Sequence, residues 1–274
     1  MNETKGQNLR PDEQFTQAMK DRLAMRLLMR PDRRDTGEEL PKTAAAWALP
    51  DGTPELAAER TRQLVLALGE ERLIVPVSVE ADPDDPDHKP LDPAASPLKT
   101  ADSPYGNSVV GFTSAEELKR WDSNGRPMTI KTYRVAVGAL TGHGSGTITL
   151  NPGSGRRTLI PRPAVLALAS GDSWLPAWED RELRDELTAL AKEECPGIVR
   201  IGLRPGAAYG AASWDGGVAV DIAFDMGAMI GAAGGNESKA RAMFAGMMKR
   251  VSENSRLREA AQQVELVPRP VATS

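Results

Sequence analysis

The sequence predicts an α+β protein: two mixed α/β domains with small sheets, preceded by an amphipathic N-terminal helix. Segments with apolar residues at helical spacing and runs of alternating β-branched residues both occur along the 274 residues. The two kinds of segment do not follow each other in the regular strand–helix rhythm of a parallel α/β sheet. Apolar residues make up 40% and charged residues 26% of the chain, which is typical of water-soluble globular proteins.

The chain length predicts two domains, because one domain usually takes about 100–200 residues. We place an N-terminal helix and linker at residues 1–44, a first domain at 45–171 and a second domain at 172–274.

The N-terminal part combines a predicted helix at Asp12–Arg30 with a polar, turn-rich linker at Pro31–Ala44. Apolar residues recur every fourth position of the helix and define one face, with basic residues interspersed along the segment. The apolar set is Phe15, Met19, Leu23 and Leu27, and the basic set is Lys20, Arg22, Arg26 and Arg30. The sequence leaves open whether this helix docks on its own domain, on a partner or on a membrane surface.

The first domain begins with a predicted helix at Thr53–Leu68, for which Thr53 is the N-cap and Gly69 the C-terminal glycine. A strand follows at Arg72–Glu80. The Pro- and Asp-rich segment Ala81–Gly106 predicts a loop between two strands, because it offers little apolar surface to bury. A strand at Asn107–Ser114 leads into a helix, for which Ser114 is the N-cap and Glu117 completes a capping box. The segment Pro127–Leu140 fits either a strand or a helix, and we favour a helix. The remaining predicted elements are strands at Thr147–Leu150 and Thr158–Ile160 and a helix at Pro163–Ala169.

The stretch NPGSG at Asn151–Gly155 raises the question of a phosphate-binding loop. Such loops carry glycines in set patterns and lead into a helix, whereas this stretch leads into a predicted strand. Proline followed by glycine suits the centre of a type II turn, so we predict a hairpin turn. Two arginines follow it, and we keep Arg156 and Arg157, with Asn151, as candidate residues for binding an anionic ligand at the rim of the turn.

The second domain carries three tryptophans close to its predicted elements. Trp174, Trp178 and Trp214 are candidate partner-binding residues, because large aromatic side chains often anchor interfaces. They could equally fill the seam between the two domains. The elements predicted in this domain are helices at Glu179–Glu193 and Ser238–Val251, and strands at Ile198–Leu203, Val218–Phe224 and Val264–Val267.

Three segments in this order resemble the N-terminal domain of the SseB family: LIVPVSVE, VVGFTSAEELKRW and TLNPGSGRRTLIPR. The family consists of bacterial proteins named for enhanced serine sensitivity. The resemblance covers Arg72–Ala169, and VRIGLRPG, VAVDIAF and VELVPRP resemble the C-terminal SseB-type domain more weakly. It implies an α+β fold, a cytoplasmic protein, a link to serine tolerance and no catalytic residues to carry over. It also suggests a rhodanese-like sulfurtransferase as a partner.

Charge and composition argue against several classes of function. The net charge of −4 does not favour a nucleic-acid-binding protein, which would need a basic surface. The chain has one cysteine, Cys195, and two histidines, so a zinc site built from such residues is not expected. We also expect no other metal, no cofactor, no membrane span and no catalytic residues.

The sequence therefore predicts a cytosolic, non-enzymatic protein-interaction module, which could also form homo-oligomers. The alternative is a sensor of a small molecule or anion.

Overall fold

The computed structural model describes residues 35–77, 98–206 and 214–271. The predicted helix at Asp12–Arg30 lies outside these ranges. Within them, helices and small mixed sheets confirm the α+β class.

The elements alternate along the chain without a regular repeat. The helices are α1 (Pro41–Trp47), α2 (Pro54–Glu70), α3 (Ala115–Trp121), α4 (Thr132–Thr141), α5 (Arg162–Ser170), α6 (Arg181–Glu194), α7 (Met226–Ala232), α8 (Glu237–Ser252) and α9 (Ser255–Ala260). The strands are β1 (Arg72–Val77), β2 (Thr100–Ser103), β3 (Gly106–Gly111), β4 (Arg126–Lys131), β5 (Ile148–Leu150), β6 (Thr158–Ile160), β7 (Ile198–Pro205), β8 (Gly217–Phe224) and β9 (Gln263–Pro270).

The described strands form three sheets. Strands β1 and β4 pair antiparallel, with Ile74 opposite Thr129. The second sheet has the order β2-β3-β5-β6, in which β3 and β5 are parallel and the other pairs are antiparallel. The third has the order β7-β8-β9, with β7 and β8 antiparallel and β8 and β9 parallel.

Helix starts follow the caps that the sequence predicts. The Thr53 side chain accepts a hydrogen bond from the Leu56 amide at 3.3 Å, and the Ser114 hydroxyl accepts one from the Glu117 amide at 3.2 Å. Each cap satisfies one of the amides that the first turn of a helix leaves without an intrahelical partner. Asp180 caps α6 in the same way.

Two predictions in the first domain are wrong in part. The segment Pro127–Leu140 is not helical throughout, because Arg126–Lys131 forms β4 and only Thr132–Thr141 is helix. Pairing with β1 holds the first half extended, and the helical spacing of apolar residues starts at Tyr133. The segment predicted as the loop Ala81–Gly106 contains β2, which forms a hairpin with β3, while its residues 81–97 lie outside the described ranges.

Two further corrections concern the ends of helices. Gly69 does not end the first helix, because α2 continues to Glu70. The part of the predicted linker from Asp35 onward packs on the domain and leads into α1, whose first residue is Pro41. The sequence analysis also missed the short helices α7 and α9.

Two groups of buried side chains form the main cores. One runs from Ala46 to Ala169 and fills the space between α2, α4, α5 and strands of the first two sheets. The other runs from Ala177 to Ala261 and lies between the third sheet and helices including α6 and α8. A smaller group joins them, where Trp214 packs on Ala57 and Ala58 of α2.

Candidate functional site

The stretch Asn151–Arg157 is the turn of a hairpin, as the sequence predicts. Leu150 of β5 lies opposite Thr158 of β6, and the Ser154 amide donates a hydrogen bond to the Asn151 carbonyl at 3.3 Å. Gly153 has a φ of +82°, as the third residue of a type II turn requires. The glycine therefore serves the backbone of the hairpin.

Asn151 is fully buried and holds its neighbour Thr113. Its Oδ1 accepts a hydrogen bond from the Thr113 amide at 3.0 Å, and its Nδ2 donates to the Thr113 hydroxyl at 3.1 Å. Its φ of +45° is in the left-handed region, which asparagine tolerates better than most residues. The side chain that the sequence marks for a ligand is thus bonded inside the fold.

Thr113 is the centre of a larger polar group. The Thr113 hydroxyl donates to Glu39 at 2.8 Å, and the Thr113 carbonyl accepts from Arg72 at 3.0 Å. Glu39 lies just before α1, and Arg72 also bonds to Asp35 and Glu38, so both partners connect Thr113 to the segment before α1. We call the group the Thr113 network; its members are Asp35, Glu39, Arg72, Thr113, Asn151 and Arg156.

The ion pair between Asp35 and Arg72 fixes the start of the described chain. Arg72 donates to the two carboxylate oxygens of Asp35 at 2.5 and 2.8 Å, and also to the Glu38 carbonyl. The hydrogen bond from Arg72 lowers the pKa of Asp35, although burial opposes that shift. A carboxylate held in this way stays charged at neutral pH.

Arg156 belongs to the same network and is engaged on two sides. Its Nη2 lies 2.8 Å from each carboxylate oxygen of Glu39, and its guanidinium carbon lies 4.7 Å from the ring centre of Trp47. These contacts hold α1 against the turn. An anionic ligand would have to compete with the carboxylates of Glu39 and Glu117 for this guanidinium.

Arg157 points elsewhere, although it is the next residue in the sequence. It donates to the Asp102 carbonyl at 3.0 Å and lines a cleft of about 170 Å³ together with Arg60 and Trp214. Arg60 pairs with Asp51 at 2.6 Å, and its Nε atom is buried without a hydrogen-bond partner among the described residues. Of the three candidate ligand-binding residues, Arg157 is therefore the one that borders open space.

The three candidate tryptophans lie together at the seam between the two cores. Their ring centres are 5.4–6.2 Å apart, with Trp174 stacked on Trp214 and Trp178 edge-on to both. Trp214 is only 4% exposed, and its indole nitrogen donates to the Gly217 carbonyl at 2.7 Å. This burial favours the alternative that the tryptophans fill the seam, because the Trp214 ring is covered by the protein itself.

The sequence analysis missed one concave surface of the described chain. A groove of about 470 Å³ runs between α1 and α2, and we call it the α1–α2 groove. Ala46 and Ala67 are its buried floor, while Leu49 and Leu66 line it and are 36% and 42% exposed. The charged residues on its rim are Lys42, Glu59 and Glu70.

One signal in the sequence could have indicated this groove. Leu66 lies two residues from both Leu64 and Leu68, which are buried, so it projects from the opposite side of α2. A leucine on the polar side of an amphipathic helix indicates a further contact. The other wall of the groove could not be inferred from the sequence. This wall is α1, and its first residues, from Pro41 to Ala44, fall in the segment predicted as a linker.

A thiol, an imidazole and the acidic side chains are the remaining candidates for reactive or metal-binding groups in the described ranges. Cys195 is buried, and burial raises the pKa of its thiol. In residues 35–77, 98–206 and 214–271, His, Cys, Asp and Glu side chains form no group of three or more that could hold a metal ion. None of the helices in these ranges has both the length and the apolar character needed to cross a bilayer.

Comparison with known proteins gives one match. Residues 54–167 match the family model of the SseB protein N-terminal domain. No curated protein and no solved structure matches the chain. The matched region begins at Pro54, so it includes α2 and the hairpin turn but not α1, and it ends before the residues that resemble the C-terminal SseB-type domain. The resemblance to the N-terminal domain of the SseB family is therefore confirmed over residues 54–167.

Proposed function

We propose that this chain is a cytosolic, non-enzymatic protein-interaction module that binds an amphipathic helix of a partner protein in the α1–α2 groove. The observation that carries the proposal is the exposure of Leu49 and Leu66 inside a concave surface of about 470 Å³. Single exposed leucines are common on protein surfaces, but a groove with an apolar floor is a frequent docking site for an amphipathic helix.

The rim of the groove suggests the charge of the partner. Glu59 and Glu70 lie on α2 along the groove, and Lys42 pairs with Glu70 across it. Glu59 is held by Arg62 at 2.8 Å, and the hydrogen bond from Arg62 lowers the pKa of Glu59, so this carboxylate is charged at neutral pH. A partner helix with apolar residues every third or fourth position and basic residues beside them would complement this surface.

The non-enzymatic part of the proposal rests on how the conspicuous polar side chains are used. Asn151 and Arg156 are bonded within the Thr113 network, and the thiol of Cys195 is buried. A nucleophile needs a neighbouring base and an accessible substrate position, and these residues offer neither.

A photo-reactive amino acid at position 66 of the full-length chain tests this function in cells. We expect position 66 to form one or a few defined crosslinked adducts with partner proteins. Position 199 is the control, because Val199 is exposed to a similar extent but lies on β7, and it should form no adducts of the same mass. Identical adducts from both positions, or none from position 66, would contradict the proposal. The first purified partner to test is a rhodanese-like sulfurtransferase, which the family resemblance suggests, and a second copy of the chain is the next.

Binding by a purified partner gives the quantitative test. Leu66→Glu places a charge in the apolar contact, and we expect it to weaken affinity at least tenfold, which corresponds to about 1.4 kcal/mol. Val199→Glu is the matched control and should bind as the natural chain does. A link to serine tolerance would appear as a growth difference on serine between cells that carry the natural chain and cells that carry Leu66→Glu.

A second candidate function, the sensing of a small anion, is favoured by the cleft beside Trp214. Arg60 and Arg157 line it together with Asp215, and two guanidinium groups that outnumber one lining carboxylate can bind a carboxylate or phosphate. A ligand that binds only the folded chain raises its melting temperature. We expect such a rise with serine, a related amino acid or a nucleotide, and we expect Arg157→Ala to remove it. An unchanged melting temperature across this set would count against a sensor.

A further inference from the structure

We infer that residues 12–30 of this same chain occupy the α1–α2 groove until a partner displaces them. The inference rests on the proposed function, since it concerns the same groove, and it adds how access to that groove is controlled. Four observations support it: where the chain joins the domain, how far the tether reaches, which apolar residues could meet, and where the charges lie.

The chain joins the described structure at one end of the groove. Asp35 is fixed to Arg72, and the residue before Arg72 is Glu71. The Glu71 carboxylate accepts hydrogen bonds from the amides of Lys42 and Thr43 at 2.9 Å, so it binds the first turn of α1. Lys42 and Glu70 pair at this same end. Asp35 is therefore bonded to a residue two positions after Glu70, which lines this end of the groove.

The tether is short enough to keep the predicted helix near the groove and long enough to let it turn back. Four residues separate Arg30 from Asp35, and five backbone steps span at most about 18 Å. A helix over residues 12–30 would be about 28 Å long, and α2 over residues 54–70 is about 26 Å long. The part of α2 that lines the groove, residues 59–70, is about 18 Å long, so the groove could cover about two-thirds of the predicted helix.

The chemistry of the two surfaces is complementary. The predicted helix presents Phe15, Met19, Leu23 and Leu27 on one face, and the groove offers Leu49 and Leu66 over an alanine floor. The basic residues nearest the tether are Arg26 and Arg30, and the tethered end of the groove carries Glu70. Docking from that end would bring Arg26 and Arg30 to the Glu70 carboxylate, which they would share with Lys42, while the apolar residues are covered.

Covalent connection favours this occupant over a second copy. A short covalent connection gives a local concentration of roughly millimolar, far above the usual concentration of a protein in solution. An external helix must then compete with the internal one. Access to the groove is consequently governed by the affinity of the chain's own residues 12–30.

Disulfide trapping in the full-length chain tests the occupant. The variant Leu27→Cys with Leu66→Cys should form an intramolecular bridge under mild oxidation, detected as a monomer that has lost two hydrogens in mass. The matched control, Leu27→Cys with Val199→Cys, should form no bridge. Cys195 is fully buried and does not compete. A bridge found only in dimers would assign the groove to a second copy, and absence of any bridge would also overturn the inference.

Hydrogen exchange gives a readout that needs no engineered cysteine. We expect amides of residues 12–30 in the natural chain to exchange at least tenfold more slowly than in Leu66→Glu, and Val199→Glu to leave them unchanged. Equal rates in all three chains would overturn the inference, as would protection that arises only when vesicles of anionic lipid are added. Either failure leaves the photo-crosslinking result from position 66 intact, so the proposed function is judged separately.

Discussion

The Thr113 network and the α1–α2 groove lie at two sides of the same segment, residues 35–47, and they use opposite kinds of residue. In the network, charged and polar side chains turn inward and are paired with one another. In the groove, leucines turn outward over a floor of alanine. The residues that look most like a site in the sequence are therefore engaged in holding the segment, and the surface left open is built from residues that look ordinary.

The physical reason for the contrast is the cost of burying charge. Arg72 is buried, and a buried guanidinium destabilises a protein unless carboxylates and carbonyls surround it. Asp35, Glu38 and Thr113 supply those partners. A leucine left at the surface costs far less, so Leu49 and Leu66 can remain exposed.

The largest loss of stability should come from Asn151→Ala, which removes the hydrogen bonds between the Asn151 side chain and Thr113. We expect the free energy of unfolding to fall by about 4 kcal/mol, because a buried Thr113 amide loses its acceptor and alanine is strained at positive φ. Chemical denaturation measures the change. Asn151→Gly should lose about 1 kcal/mol less, since glycine adopts this φ freely. Near-natural stability of Asn151→Ala would show that the network does not hold the fold.

The next largest loss of stability should come from breaking the ion pair between Asp35 and Arg72, and the size of this loss depends on pH. The pKa of Asp35 is lowered in the folded protein, so its stabilising contribution is present above the ordinary aspartate pKa and is lost as pH falls through the lowered value. At pH 7 we expect Asp35→Asn to cost roughly 3 kcal/mol, as for other buried pairs that lose one partner. The difference from the natural chain should shrink progressively below about pH 4. A difference independent of pH would contradict the assignment.

Substitution of the two adjacent arginines, Arg156 and Arg157, should affect the stability of the protein to different extents. Arg156→Ala removes the pair with Glu39 and the contact with Trp47, and we expect a loss of about 1 kcal/mol because the site is partly exposed. Arg157→Ala should change stability by less than about 0.5 kcal/mol. Thermal denaturation of the two variants side by side makes the comparison, and equal losses would remove the distinction drawn between them.

The smallest effect on stability should come from the groove itself. Leu66 is exposed, so Leu66→Glu should change the free energy of unfolding by less than about 0.5 kcal/mol if the groove is empty. A larger loss in the full-length chain, absent when Phe15→Asp is already present, would show that the two positions are coupled. Double-mutant analysis by chemical denaturation gives that coupling directly.

Sequence reasoning succeeded where structure depends on near neighbours. The caps at Thr53 and Ser114 and the turn at Pro152–Gly153 follow from residues within three positions of each other. It failed at β4, where pairing with a distant strand holds residues 126–131 extended although residues further on favour helix. Strand pairing is a contact between distant parts of the chain, and a local pattern does not contain it.

By itself the sequence determined the α+β class, the caps, the hairpin turn and the match of residues 54–167 to the SseB protein N-terminal domain. The tertiary structure alone decided which candidate residues remain available. Arg156 is engaged because folding brings it to Glu39, 117 positions earlier in the chain, whereas Arg157 faces a cleft. Ion pairs of this kind form between residues that only the packed fold makes neighbours, so no pattern along the chain can show which arginine is paired with a carboxylate.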